Sequence, residues 1–128
     1  MDRYLRTYER NGCLVVELSG EIDVEAAVAI TPVLDELTQA PGPSLVIDLG
    51  RVRFIDCSGI SVLCRARRRV LSHGGAVQLV CARPMTLRIL RATGLMSAFR
   101  PVADLDAALA RLRTDPQGPP ESAPGPAV

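Results

Sequence analysis

The sequence predicts a single α/β domain: a mixed central sheet of four to five strands with about four helices packed on it. Three observations carry this. Short β-branched runs alternate with longer stretches of helical periodicity. Helices that join successive strands need crossover connections, which require parallel pairs in the sheet. An Asn11–Gly12 dipeptide near the start adds one antiparallel hairpin. At 128 residues the chain has room for one core. With 48% hydrophobic and 23% charged residues, its composition is that of a globular protein.

The elements follow in order. Residues 3 to 10 form the first strand, Tyr4, Arg6 and Tyr8 alternating with Leu5 and Thr7, and Cys13 to Ser19 its hairpin partner. Val24 to Ala40 has Ala27, Ile30, Leu34 and Leu37 at helical spacing. Pro32 predicts either a kink there or a start at Thr31. Ser44 to Leu49 is an almost unbroken apolar run, as in a strand covered on both faces. Ser58 to His73 is the clearest helix: Ile60, Leu63, Ala66 and Val70 share a face, Arg65, Arg68 and Arg69 turn away, and Gly74 stops it. Ala76 to Cys81 is the next strand, Pro84 to Thr93 a shorter helix, and a short strand is expected near Phe99. A last helix runs from Asp104, its N-cap, to Arg113, with Leu105, Leu109 and Leu112 inward. The domain is therefore expected over 1–113. Residues 114–128 hold five prolines, two glycines and almost nothing to bury, and are expected to be disordered.

Composition excludes several functions. The net charge of +1 argues against a protein built to neutralise phosphates, and all 15 basic residues are arginine. Without a lysine there is no Walker-type phosphate loop, no Schiff base and no lysine of a receiver-type phosphoacceptor site. No secretory signal and no membrane-length apolar run occurs, so a soluble cytoplasmic protein is expected. The four cysteines, Cys13, Cys57, Cys64 and Cys81, form no CxxC pair and read as buried small hydrophobes. With His73 the only histidine, no zinc site and no other cofactor is expected.

The chemistry concentrates in Val46 to Val62, VIDLGRVRFIDCSGISV. A strand ends at Asp48–Leu49, a short apolar segment follows over Val52 to Ile55, and Asp56–Cys57–Ser58–Gly59 opens the best helix. Ser58 falls at the N-cap or in the first turn. Asp, Ser and Gly at such a place serve as ordinary caps. They also leave a hydroxyl with only small or apolar neighbours after it. A phosphate there would add roughly 1.5 to 2 negative charges beside Asp56. That suits a charge switch: a small cost to the fold, a large cost to a docked partner.

The run FIDCSGISVL after a DLG-ending strand resembles the phosphoacceptor segment of bacterial anti-sigma factor antagonists, the small STAS-domain proteins. Gly20–Glu21–Ile22–Asp23 is similar to that family's other hallmark, and the likeness spans about residues 5 to 112. The resemblance implies that Ser58 is the serine a partner kinase phosphorylates. It implies that Asp23 and Glu21 lie at the partner-binding edge and that Asp56 and Gly59 shape the loop. Cys57, where Ser or Thr is common, and Ser61, where Gly is common, join that surface, Ser61 as a second hydroxyl one turn in. The implied mechanism is partner switching. The unphosphorylated protein binds an anti-sigma factor that is itself a serine kinase, freeing a sigma factor; phosphorylation releases it, and a PP2C-type phosphatase resets it.

Other readings compete. Asp23 alone reads as the N-cap of the next helix, a role compatible with facing a partner. Cys57 at a helix start could be a nucleophile, but Asp56 opposes thiolate formation and His73 lies at the far end of the same helix. Arg65, Arg67, Arg68 and Arg69 could suggest DNA, yet aromatic residues are 3% of the chain; a solvated face or an acidic protein partner accounts for the run better. A receiver-like domain with Asp48 as phosphoacceptor lacks its lysine. A constitutive STAS scaffold without the switch keeps the fold, and the apolar content leaves a homodimer open. No DNA or membrane partner is expected, and no enzymatic activity.

Overall fold

A computed structural model describes residues 3–114. Four strands form one mixed sheet in the order β1-β2-β3-β4: β1 (Leu5–Arg10), β2 (Cys13–Ile22), β3 (Ser44–Ile55) and β4 (Ala76–Val80). The hairpin turns at Asn11 and Gly12, both at positive φ (57° and 78°), with Arg10 paired to Cys13. These are the dihedrals of a two-residue type I′ turn. The pairs β2–β3 and β3–β4 are parallel, so each is bridged by a helix crossing over the sheet.

Alternation along the strands sorts the core. Val16 and Leu18 on β2 with Leu45, Ile47 and Leu49 on β3 face the layer of α1 (Val24–Leu37) and α2 (Cys57–Ser72), which is completed by α3 (Pro84–Ala92) and Phe99. Cys13, Val15, Val46 and Val80 face the other way, onto Ala108 and Leu109 of α5 (Leu105–Thr114). Both faces are covered, which is why the β3 sequence reads as continuous apolar residues.

Several expectations need correction. β3 does not stop at Leu49. It runs 12 residues to Ile55, absorbing the segment that had read as a separate approach. The pairing slips between Glu17 and Glu21, where Gly20 takes φ 86°, a left-handed value that suits glycine at a bulge. The strand expected near Phe99 is instead a helical turn, α4 (Met96–Phe99), and only Val102 bridges to Val80. In α1 the buried stripe is Ala26, Ile30 and Leu34, not one through Ala27. Pro32 sits inside α1 and the helix neither starts at Thr31 nor stops there. Pro32 is on the exposed side of the helix, as is Val28, whose carbonyl the proline deprives of its N–H donor. α5 reaches Thr114, one residue past the expected boundary; the rest of the proline-rich tail lies outside the described residues.

The arginines of α2 are not a uniformly solvated face. Arg65 grips Asp35 of α1 through Nε and Nη2 at 2.8 and 2.9 Å. Arg69 donates to the buried Thr38 hydroxyl at 3.0 Å and to the Asp35 carbonyl at 2.9 Å. The hydrogen bond and charge of Arg65 hold the Asp35 carboxyl below its ordinary value. A carboxylate with a lowered folded-state pKa stabilises the fold above its unfolded pKa and ceases to as pH falls through the folded value. The melting advantage of the native chain over Asp35→Asn should therefore be steady above about pH 5 and shrink below the ordinary carboxylate value of 3.8. Because the pair is exposed, the whole difference should be small.

Candidate functional site

Parallel pairing brings two helix starts together. Ile22, the last residue of β2, stands opposite Ile55, the last of β3, and an aspartate follows each. Both aspartates take extended backbone and cap the helix they precede. Asp23 Oδ1 accepts from Ala26 N at 3.1 Å, and Asp56 Oδ1 accepts from Ser58 N at 2.9 Å and Gly59 N at 3.2 Å. Asp56 N donates in turn to the Ile22 carbonyl at 3.3 Å, tying the second helix start to the end of β2. The expected capping role of Asp23 holds. At the second helix the cap is Asp56, and Ser58 lies two residues in, in the first turn. Removing the cap in Asp56→Ala should cost about 0.5–2 kcal/mol, read as a lower denaturation midpoint.

Gly59 is buried. A Cβ there would stand 2.5 Å from Ile55 Cγ1 and 2.8 Å from the Ile22 carbonyl oxygen. Its part is to let α2 begin against the strand ends.

With both helices starting at the same level, matching residues line the furrow between them. Val24, Ala27, Val28 and Thr31 on α1 face Ser58, Ser61, Val62 and Arg65 on α2 across an open groove of about 490 Å³. Each set follows the i, i+3, i+4, i+7 spacing of one helix stripe. Ser58 is half-buried and Ser61 exposed. Among the described residues the Ser58 hydroxyl has no hydrogen-bond partner. Its backbone N–H is already bonded to Asp56, so a phosphate on its oxygen finds that amide taken and a carboxylate two residues away. Among the described residues Arg65 is the only cation lining the groove, and Asp35 holds it. A phosphoryl group there would keep its charge facing outwards.

Glu21 and Asp23 do not line this groove. They share a neighbouring depression with Arg3, Tyr4, Gly20, Glu25 and Arg53. Cys57 is exposed at the first helical position, against the expectation that all four cysteines are interior; Cys13 and Cys81 are buried and Cys64 partly so. His73 cannot serve Cys57 as a base, since it lies at the opposite end of α2 with Nδ1 on the Arg69 carbonyl.

Sequence reasoning missed the apolar half of the site. Val24 and Val28 are 61% and 70% exposed, and Phe54 on β3 is 49% exposed. The signal was present: Val24 and Val28, four residues apart, lie off the Ala26–Ile30–Leu34 stripe. Large side chains left in water beside a hydroxyl without a hydrogen-bond partner among the described residues are a feature that interaction sites share.

Comparisons with known proteins bear on the family and the fold. A family model described as the STAS domain matches residues 4–108. The anti-sigma-F factor antagonist RsfB of Mycobacterium tuberculosis is 30% identical over 107 residues, 82% of this chain and 85% of its own. A crystal structure of an anti-sigma factor antagonist from Mycobacterium paratuberculosis superposes with a TM-score of 0.78 at 31% identity, covering 85% of this chain and 92% of that one. The phosphorylated form of the Bacillus cell fate determinant SpoIIAA shares the fold, with a TM-score of 0.68 at 20% identity over 85% of this chain and 99% of that one.

Proposed function

As this chain belongs to the STAS domain family, we propose that it is an anti-sigma factor antagonist working by partner switching, a regulatory binding protein of the cytoplasm and not an enzyme. The unphosphorylated form docks on an anti-sigma factor with serine kinase activity and releases a sigma factor. Phosphorylation of Ser58 ends the contact, and a PP2C-type phosphatase restores it. The observation that carries this reading is the position of Ser58: a half-exposed hydroxyl without a hydrogen-bond partner among the described residues, between the exposed Val24 and Val28 on one side and Ser61 on the other. Two relatives at about this chain's level of likeness are named as antagonists of anti-sigma factors.

The geometry supports a division of labour. Val24 and Val28 supply the apolar area, Ser58, Ser61 and Cys57 the small polar contacts, and Glu21 and Asp23 the acidic rim. Asp56 holds the helix start in place. Apolar contact at the centre with charge at the edge is the usual anatomy of an interface.

The direct test is to capture proteins on the Ser58→Ala chain and to incubate any captured ATP-binding kinase with the native chain. Phosphoserine at Ser58, located by peptide mass spectrometry, is the expected result. A stable complex without modification at Ser58 would instead leave a constitutive scaffold. Val28→Arg tests the surface: it should weaken kinase binding by about tenfold or more while the melting temperature stays put, because this side chain is already 70% exposed.

A further inference from the structure

At the other end of α2 from Ser58, arginines from three elements close on a small cavity. Arg67 of α2, Arg100 at the C-cap of α4 and Arg111 of α5 line a pocket of about 70 Å³ with Leu71, Gln78 and Phe99, and no acidic side chain among the described residues lines it. Among the described residues, the guanidinium groups of Arg67 and Arg111 are placed by contacts other than carboxylates. Arg67 Cζ stands 5.9 Å from the centroid of the Phe99 ring. Arg111 Nη1 donates to the Arg100 carbonyl at 2.7 Å and to Gln78 Oε1 at 3.3 Å. Neither Arg67 nor Arg111 has an acidic partner among the described residues. Most of their five donors each are left over.

Two further features point to a ligand. Gln78 is an amide only 5% exposed in the otherwise apolar β4. Its oxygen serves Arg111, while its two N–H donors make no hydrogen bond among the described residues. Buried donors of that kind are ordinarily met by an acceptor. Arg100 carries left-handed backbone (φ 45°, ψ 59°), which turns its carbonyl to Arg111. Such conformations in residues with side chains gather at ligand sites.

We propose that this pocket binds an oxyanion of phosphoryl type. Planar guanidinium forks match tetrahedral oxyanions in geometry and charge, and the Gln78 amide adds a neutral donor at the base. The volume admits one such group and excludes a base or sugar, which would remain outside. The site is not that of Ser58 in the same molecule. Arg67 lies nine residues along α2, about 13 Å of rise and half a turn round the helix. Free phosphate and the terminal phosphoryl of a nucleotide are the two sources of such a group.

The full chain should be titrated with inorganic phosphate and with ATP, against chloride at matched ionic strength. The readouts are calorimetry and the side-chain amide resonance of Gln78. Saturable binding is expected, with the Gln78 resonance moving on saturation. Binding should fall by about tenfold or more in Arg67→Gln and in Arg111→Gln, and should be unchanged in Arg68→Gln, an exposed position on the same helix outside the pocket. Should Arg111→Gln fail to fold, Arg67→Gln carries the test. Binding of phosphate itself assigns the free ion; binding of ATP alone assigns the nucleotide. No saturable binding of either, an unmoved Gln78, or equal loss in Arg68→Gln overturns the proposal.

Discussion

Ser58→Asp should lower affinity for the anti-sigma partner by about tenfold or more in titration calorimetry, while its melting temperature shifts by no more than a few degrees. The two effects separate because they act on different groups. Within the fold, the new carboxylate gains about 0.3–1 kcal/mol from the helix N-terminus and loses a comparable amount to Asp56, whose carboxylate already accepts from Ser58 N and Gly59 N. Across the interface, a charge facing apolar or like-charged surface costs several kcal/mol, and about 2.7 kcal/mol is a hundredfold in affinity. Among the described residues the only cation lining the groove is Arg65, bound at 2.8 and 2.9 Å to Asp35, so neutralisation from within is weak. Ser58→Ala should bind at least as tightly as the native chain and resist release by ATP. A large melting shift in Ser58→Asp with unchanged affinity would contradict the switch.

Gly59→Ala should destabilise the fold by about 1–3 kcal/mol, and Gly59→Val by more, as seen in chemical denaturation. The sign discriminates. A glycine tolerated inside a helix for no reason gains up to about 1 kcal/mol on becoming alanine. Here the added methyl meets Ile55 Cγ1 at 2.5 Å and the Ile22 carbonyl at 2.8 Å. That carbonyl already accepts from Asp56 N, so it cannot retreat without loosening the tie between the two helix starts. Partner affinity should fall with stability in this variant, unlike Ser58→Asp. Stabilisation of Gly59→Ala would show that α2 does not sit tightly on the strand ends.

Local signals were strong where one residue type has one physical use. Asn11–Gly12 specified its turn, the period of Ile60, Leu63, Ala66 and Val70 specified the inner face of α2, and Asp23 and Asp104 capped as their positions implied. The failures arose where pairing partners decide. Gly50 inside β3 looked like a strand end, but β2 continues beside it and carries the ladder on to Ile55. Residues around Phe99 carry a strand-like mix of side chains, yet only Val102 finds room beside Val80. Arg65 and Arg69 read as solvent-facing because nothing in α2 itself reveals that Asp35 and Thr38 of α1 stand opposite.

The alternation of strands and helices, the capping roles of Asp23 and Asp104 and the placing of Ser58 at the mouth of the second helix were legible from residue order alone, because they depend on neighbours within a few positions. Only the tertiary structure decided that Val24 and Val28 share a groove with Ser58, and that Arg67 and Arg111 meet over Gln78. Those meetings depend on the parallel register that places Ile22 opposite Ile55 and on the side of the sheet each helix covers. Register and layer are properties of the packed chain, set by which apolar faces are buried together, and no local pattern encodes them.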